Sequence, residues 1–327
     1  MPAAHGAVRS CARAAVGASL AGLGLLGYAL LEASLPVLRR VDVPVLAAGE
    51  PPVTLLHLSD LHLTDRTEAR VAWVRRLARL RPDVVIDTGD NLSFANGLEP
   101  LGRALAPFLG LPGAFVLGDH DYRTTVFKSP TRYLRSHPSP VYKDLDEAHV
   151  ALPWTEVRDL QASGGWADLT NARGTISVGG RSIELVGVDD PHAERDAFPP
   201  AASPAGATGD GPAIRGGDGR PLRIGLLHAP YRRVLDAMSA DGVDLALAGH
   251  THGGQLCLPG VGALVTNCDL DRGRASGLSR WPGRTGTAGG MHLYVSAGLG
   301  TSPYTPVRVA CRPEATLLTL TPVARGS

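Results

Sequence analysis

The chain has 327 residues, and 32 Lys plus Arg balance 31 Asp plus Glu, so its formal net charge is +1. Proteins that bind nucleic acid over a broad surface usually carry a strongly basic domain, and this balance argues against that class. The hydrophobic fraction of 44% excludes a wholly disordered chain, and four cysteines are too few for a disulfide scaffold. Gly and Pro make up about a fifth of the residues, which predicts long loops.

The N-terminal region has the pattern of a membrane segment. Residues 14–31 are 18 consecutive residues without a charge, and they follow the basic segment 1–13. A helix of this length spans about 27 Å, close to the roughly 30 Å hydrocarbon core of a bilayer. We expect a single-pass anchor in the cell membrane, a linker over 32–52 and an extracytoplasmic catalytic domain. One alternative is a signal segment that is cleaved on export. The other is a helix that is buried in the core of the protein and has no role in the membrane.

Residues 53–327 read as one catalytic domain that opens with a β-α-β pattern. Strands are predicted at 53–58, 84–86 and 114–117, with helices at 66–80 and 98–109 between them. Each strand ends in an acid-bearing turn: Ser59-Asp60-Leu61-His62, Asp87-Thr88-Gly89-Asp90 and Gly118-Asp119-His120-Asp121. Ligands of open α/β sheets bind at the carboxyl ends of the strands, so these three turns are expected to converge.

The second half predicts further strands and two more polar turns. The strands are expected at 174–178, 182–188, 223–227, 245–248, 292–296 and 315–320. His228 follows one of them, and Gly249-His250-Thr251-His252-Gly253-Gly254 follows the next. The segments 193–221 and 271–290 are rich in Gly and Pro and are predicted as loops.

The residue types in these turns are typical of a metal site. Carboxylates and imidazoles without cysteine suit Mn, Fe or Zn, whereas Ca²⁺ takes oxygen ligands and does not suit so many imidazoles. Five of the eleven histidines fall in the turns. His57 lies in the strand before Ser59 and is expected to be packed or to support the ligands without binding metal itself. The other five match no motif and are expected to be structural or solvated: His5, His137, His149, His192 and His292.

The order of these motifs resembles the calcineurin-like metallophosphoesterase superfamily over roughly residues 53–321. The string GHTHGGQ at 249–255, the N-terminal apolar segment and the ending between Gly298 and Glu314 resemble its bacterial membrane-associated or exported phosphodiesterase branch. The resemblance implies an α/β fold: a four-layer α/β/β/α sandwich of two mixed β-sheets flanked by helices, with an N-terminal hydrophobic helix.

The resemblance also implies a centre of two divalent metal ions. The first ion would be held by Asp60, His62, Asp90 and His252. The second would be held by Asp90, as the bridge, with Asp119, His228 and His250. His120 would act as proton donor or transition-state stabiliser, and Asp121 would orient it. A metal-bound hydroxide would then attack phosphorus directly, without a phosphoenzyme.

Asp119 departs from the family pattern, which usually has Asn at this position. An ionised Asp cannot donate a hydrogen bond to a phosphate oxygen, as an amide can. Three carboxylates against two divalent ions leave a charge of +1, where Asn would leave +2. We therefore expect tighter metal binding and a weaker attraction for an anionic substrate.

The predicted function is hydrolysis of a phosphate ester, more a diester than a monoester, and the anchor suggests a lipid- or envelope-linked substrate. One alternative is a pyrophosphohydrolase of a nucleotide-linked sugar or lipid, and another is a membrane-tethered metal-binding pseudoenzyme. Nucleic acid is not an expected partner, and the sequence does not specify the oligomeric state. Substrate selectivity is expected in the loops 122–172, 193–221 and 271–290. Cys257 and Cys268 could pair in an exported protein, which would leave Cys311 unpaired.

Overall fold

The computed structural model describes residues 2–126, 150–201, 211–283 and 290–324. In these ranges the helices are α1 (Pro2–Ala33), α2 (Glu68–Arg76), α3 (Leu98–Leu105), α4 (Asp119–Tyr122), α5 (Trp154–Ser163) and α6 (Arg232–Ala240). The strands of the first half are β1 (Val37–Leu46), β2 (Val53–Leu58), β3 (Val84–Asp87), β4 (Gly113–Phe115), β5 (Ala167–Asp168), β6 (Arg173–Val178) and β7 (Arg181–Gly187). Those of the second half are β8 (Arg223–Leu226), β9 (Leu245–Ala248), β10 (Cys257–Leu258), β11 (Gly262–Ala263), β12 (Gly277–Trp281), β13 (Met291–Val295) and β14 (Glu314–Pro322).

Within the described ranges the strands form two six-stranded mixed sheets and a two-stranded ribbon, β10-β11. The first sheet has the order β1-β14-β2-β3-β4-β5, and β2 to β5 run parallel to one another. The second has the order β12-β13-β9-β8-β7-β6, and β13, β9, β8 and β7 run parallel. Each sheet therefore gathers the carboxyl ends of its parallel strands at one edge.

The sheets pack face to face, with helices on their outer faces. Along β2, Leu55 enters the core between the sheets, whereas its neighbour Leu56 enters the cluster under α2, α3 and α5. Along β7, Leu185 enters the inner core and Val186 enters the cluster under α6. Adjacent residues alternate in this way because successive side chains of a strand point to opposite faces of the sheet. The arrangement confirms the predicted four-layer α/β/β/α sandwich.

Two segments that were predicted as linker or loop are strands. Residues 37–46 of the predicted linker form β1, which pairs in parallel with β14 at the edge of the first sheet. Val43 and Val45 are buried, with an exposed residue between them, so the segment has the period-2 pattern of a half-buried strand. Residues 277–281 of the predicted loop 271–290 form β12, the edge strand of the second sheet.

The two predicted helices of the first half are confirmed with shorter bounds. α2 ends at Arg76 and continues as a 3-10 turn over 77–80, and α3 ends at Leu105. His137, His149 and parts of the three predicted selectivity loops lie outside the described residues.

Residues 2–33 form the helix α1, which confirms a helix over residues 14–31. Among the residues that the structure describes, no helix is both long and apolar enough to cross a membrane. The expected transmembrane anchor is therefore not supported.

The carboxyl end of α1 is tied to the catalytic domain. Glu32 is buried, and its carboxylate accepts hydrogen bonds from the backbone N–H groups of Ala310 and Cys311, at 3.0 and 2.7 Å. The backbone N–H of Arg308 donates to the carbonyl oxygen of Ala29 at 3.0 Å. These bonds fix the last turn of α1 against the segment 308–311.

His57 should make the stability of the fold depend on pH. Its ring is fully buried on β2, Nε2 lies 2.9 Å from the hydroxyl oxygen of Thr88, and burial lowers its pKa to about 3. Between pH 6.5 and about 3 the unfolded chain binds a proton at His57 that the folded chain does not. Stability is therefore full above pH 6.5, and each pH unit below it is expected to cost about 1.4 kcal/mol at this residue.

The measurement is the free energy of unfolding in urea for metal-free protein at pH 5.5 and 4.5, compared between the native chain and His57→Gln. The glutamine keeps a partner for Thr88 but does not titrate. Between pH 5.5 and 4.5, the free energy of unfolding of the native chain should fall by about 1.4 kcal/mol more than that of the variant. Equal losses would contradict a neutral, buried His57.

Candidate functional site

The predicted ligand turns meet where the parallel strands of the two sheets end. Five of the residues have left-handed backbone: φ is 52° at Asp60, 43° at His62, 59° at Asp90, 68° at His250 and 49° at His252. Non-glycine residues seldom adopt positive φ, and such conformations cluster at functional sites, where the surrounding structure holds them in place. The turns therefore aim their side chains at a cost in backbone free energy.

Two glycines let these turns approach one another. A Cβ on Gly118 would lie 2.4 Å from Asp90 Oδ1 and 2.8 Å from Cγ of His228. A Cβ on Gly249 would lie 1.9 Å from Ser59 Oγ and 2.5 Å from Oδ2 of Asp60. Any larger residue at either position would push the first-sheet turns away from the second-sheet turns, so the site depends on both glycines.

Two groups of side chains could each hold a metal ion. Asp60, His62 and His252 offer ligand atoms that all lie within 4.8 Å of one another, and so do Asp60, Asp90 and His228. Oδ2 of Asp90 lies 3.5 Å from Nε2 of His62 and 3.3 Å from Nε2 of His228. Asp60 thus belongs to both groups, and the carboxylate of Asp90 stands between two histidines, one from each group.

The tautomers of two histidines fit metal binding. Nδ1 of His228 lies 2.7 Å from the carbonyl oxygen of Thr88, so it carries the proton and leaves the Nε2 lone pair for a ligand. Nε2 of His250 lies 3.2 Å from the carbonyl oxygen of Asn267, which leaves Nδ1 available in the same way. Among the described residues, Nε2 of His62 and Nε2 of His228 are buried without a hydrogen-bond partner. An unpaired buried nitrogen is costly, and coordination to a metal would satisfy it.

The charge states also fit a metal site. Burial lowers the pKa of His250 to about 4, and it lowers the pKa values of His62 and His252 well below their usual range. All three are then neutral near pH 7, as ligating imidazoles must be. Burial opposes a charge on His228 too, but the carboxylates of Asp90 and Asp60 hold its pKa well above its usual range. A bound cation would take the place of that proton between the carboxylates.

The remaining predicted ligands line the same small cavity. Its volume is about 50 Å³, room for ions and their ligands, so most of a substrate would lie outside it. The lining residues are Asp90, Asp119, His120, His192, His250, His252 and Asn267. Asp119 and His250 are absent from the two groups with close ligand atoms, and Asp119 instead pairs with Nε of Arg123 at 2.5 Å. Their predicted roles as ligands stay predictions.

Asp121 contacts the loop backbone and not the ring of His120. Its buried carboxylate accepts hydrogen bonds from the N–H groups of Gly118, Asp90 and Asn91, at 3.0, 2.9 and 2.9 Å. The carboxyl therefore joins the first-sheet turns to each other. Nδ1 of His120 lies 3.2 Å from the carbonyl oxygen of Arg123, so a carbonyl orients the ring where we expected Asp121.

Two residues of the site were missed by motif reasoning. His192 was expected to be structural or solvated, but it lines the cavity, its ring centroid lies 4.3 Å from that of His250, and its Nδ1 lies 2.9 Å from Tyr231 Oη. It lies in the turn that follows β7, two residues after Asp190, but no sequence motif includes it. Arg308 is fully buried, and its Nη1 donates to the carbonyl oxygen of His252 at 3.1 Å.

The cysteines do not have the arrangement that the sequence suggested. Cys257, Cys268 and Cys311 are all free and partly buried. Cys268 packs against the outer core of the second sheet, whereas the sulfurs of Cys257 and Cys311 lie 3.2 and 3.5 Å from the same carbonyl oxygen, that of Gly253. The neighbour of Cys257 is thus Cys311, because the segment 255–257 runs beside the segment around Val309.

Comparison with known proteins agrees with this geometry. The family model for calcineurin-like phosphoesterases matches residues 53–254, more than half of the chain. The chain therefore belongs to the calcineurin-like phosphoesterase family, whose members are hydrolases of phosphoesters. Divalent metal ions are the cofactors that this family and the ligand groups support.

Individual relatives are similar over almost their whole lengths. The chain is 27% identical over 325 residues to the metallophosphoesterase YkuE of Bacillus subtilis, covering 94% of this chain and 93% of that protein. It is 27% identical over 318 residues to the phosphodiesterase YaeI of Escherichia coli, covering 94% and 96%. Among solved structures, TT1561 of Thermus thermophilus is similar with a TM-score of 0.39 and 13% identity, covering 76% of this chain and 91% of that one.

Proposed function

We propose that the protein is a phosphodiesterase that binds two divalent cations. The observation that carries the proposal is the pair of ligand groups that share Asp60 and have the Asp90 carboxylate between them. A carboxylate has two oxygens and could therefore bridge two ions, as in dinuclear hydrolases. The relative named as a phosphodiesterase supports a diester over a monoester substrate.

Bound cations would polarise the phosphoryl oxygens and activate the attacking water. The chain contributes the geometry. Asp60, His62 and His252 would hold one ion, and His228, with Asp119 and His250, would hold the other. The backbone bonds of Asp121 keep the turns of Asp90 and Gly118 in register, so the ligands are placed before the substrate arrives.

His120 would supply the proton for the leaving group. With Nδ1 directed at the carbonyl oxygen of Arg123, its other nitrogen, Nε2, is available to the cavity that the ring lines. A protonated Nε2 would donate to the oxygen that leaves phosphorus, as a general acid does. His192, on the same cavity, would contact the non-bridging oxygens.

The test is a substrate screen on the purified full chain, stripped with a chelator and reloaded with Mn²⁺, Zn²⁺ or Fe²⁺. We expect bis-p-nitrophenyl phosphate to be hydrolysed faster than p-nitrophenyl phosphate and a nucleotide-diphospho-sugar, with about two ions bound per chain. Turnover of the pyrophosphate alone would replace the proposal with a pyrophosphohydrolase. Bound metal without turnover of any ester would replace it with a metal-binding pseudoenzyme.

Asp119→Asn should raise turnover and weaken metal retention. The substitution removes one negative charge from the site, so the pull on an anionic phosphate increases and the hold on the ions decreases, each by about tenfold. Arg123 now offsets part of the Asp119 charge, since its Nε lies 2.5 Å from Oδ1. The measurements are kcat on the diester and metal loss under chelator.

A suitable control is Asp241→Asn, because Asp241 is a largely buried carboxylate that pairs with Arg173 and Arg223 outside the ligand set. Asp241→Asn should leave the kcat of the metal-loaded enzyme on the diester and its rate of metal loss under chelator unchanged. If Asp119→Asn also leaves both unchanged, the charge argument is wrong.

A further inference from the structure

Two thiols meet directly beneath the loop that carries His250 and His252. The thiol of Cys257 donates to the carbonyl oxygen of Gly253 at 3.2 Å, and the sulfur of Cys311 lies 3.5 Å from the same oxygen. The Cys311 thiol also lies 3.2 Å from the carbonyl oxygen of His252. The two sulfurs therefore converge on one carbonyl oxygen, that of Gly253.

The backbone holds this pair in place from both sides. Residues 255–257 run parallel to the segment around Val309. The N–H of Cys257 donates to the carbonyl oxygen of Val309 at 2.9 Å, and the N–H of Val309 donates to the carbonyl oxygen of Gln255 at 3.0 Å. The carboxylate of Glu32 accepts from the N–H of Cys311 at 2.7 Å. The native backbone thus holds the two sulfurs beside the same carbonyl oxygen.

We propose that Cys257 and Cys311 are a disulfide-forming pair that staples the His250–His252 loop to the segment carrying Arg308. The oxidant is a small disulfide such as oxidised glutathione. One cysteine thiolate attacks its S–S bond, forms a mixed disulfide and releases one reduced thiol. The second thiolate then attacks the cysteine sulfur of the mixed disulfide and releases the other. Two electrons pass from the protein sulfurs to the oxidant, and the two thiol protons end on the released thiols.

The disulfide would close a loop of about 55 residues and so reduce the conformational entropy of the unfolded chain. In the folded chain it would restrain the backbone around His252. We expect the melting temperature to rise by roughly 5 °C on oxidation. The ions of the loaded enzyme should also leave more slowly. Formation of the bond is independent of the proposed function, whereas its effect on metal retention rests on it.

The experiment oxidises the full-length, Mn²⁺-loaded protein with oxidised glutathione, blocks the remaining thiols and maps the peptides by mass spectrometry. The expected product is a Cys257–Cys311 peptide pair, about 2 Da lighter than its reduced components. Cys268→Ser is the matched control: it should still form the pair and show the same rise in melting temperature. Cys257→Ser and Cys311→Ser should lose both.

Other outcomes would contradict the disulfide or its effect on the metal site. A linkage of Cys257 to Cys268, or stable glutathione adducts in place of a linkage, would overturn the proposal. A Cys257–Cys311 bond that raises the melting temperature but leaves chelator-driven Mn²⁺ loss unchanged would confirm the disulfide and contradict its coupling to the metal site. Failure of the enzyme to turn over any ester would bear on the proposed function alone.

Discussion

Asp90→Asn is expected to lower phosphodiester turnover and metal affinity at least about 100-fold. Asp90 Oδ1 accepts the backbone N–H of His120 at 2.8 Å, and an asparagine oxygen can keep that bond. The substitution therefore changes mainly Oδ2, which lies between His62 and His228. Burial alone would favour a neutral carboxyl there, but the neighbouring His228 and His120 hold the pKa of Asp90 well below its usual range. A neutral amide would remove the negative charge that the proposed pair of metal ions requires between them.

The matched control for this substitution is Asp87→Asn in the same turn. Burial raises the pKa of Asp87 to about 7, so a neutral group already populates this position near neutral pH. Its Oδ2 accepts from Nε2 of Gln161, and Oε1 of Gln161 has no partner among the described residues. Rotation of the Gln161 amide would thus pair it with an asparagine at 87. Metal content by mass spectrometry and diester hydrolysis should fall for Asp90→Asn and stay near native for Asp87→Asn. Equal effects in the two variants would remove Asp90 from its bridging position.

The ligand turns can be predicted from sequence because each belongs to a local pattern. An apolar strand followed by an acid- or histidine-bearing turn is visible within ten residues at Asp60, Asp90 and His228. Parallel pairing then brings the turns to one edge of each sheet, which is a general property of such folds. The four-layer architecture can also be predicted from sequence, because the hydrophobic periodicities of strands and helices indicate which of their faces are buried.

Other parts of the site depend on contacts between distant segments. His192 lies on the cavity because β7 pairs in parallel with β8, which carries the turn after β7 to the edge where His228 lies. No local motif marks it as a site residue. The strand over 37–46 is a different case: its alternating valines were readable, but a segment between an apolar helix and the domain looked like a linker.

Arg308→Met is expected to destabilise the fold by about 3 kcal/mol and to weaken metal binding by about tenfold. Arg308 has no exposed surface, and its guanidinium donates to the carbonyl oxygens of His252, Gly298 and Gly300, at 3.1, 3.2 and 2.7 Å. Methionine has a similar length but no donor, so three carbonyl groups would each lose one hydrogen bond. Those of His252 and Gly298 would keep the backbone donors Gln255 and Glu314, whereas Arg308 is the donor on which the carbonyl of Gly300 depends. The loss reaches the metal site because one of the three carbonyl groups belongs to the predicted ligand His252.

Arg312→Met is the control, since Arg312 is exposed and makes one hydrogen bond, to the carbonyl oxygen of Leu35. It should change the free energy of unfolding by less than about 0.5 kcal/mol. Arg308→Lys should recover only part of the loss, because one ammonium cannot reach three carbonyl groups in a planar fork. Urea unfolding measures the stability, and titration of the metal-free protein with Mn²⁺ measures the affinity. If Arg308→Met loses stability but binds Mn²⁺ as the native chain does, the guanidinium supports the loop without positioning His252.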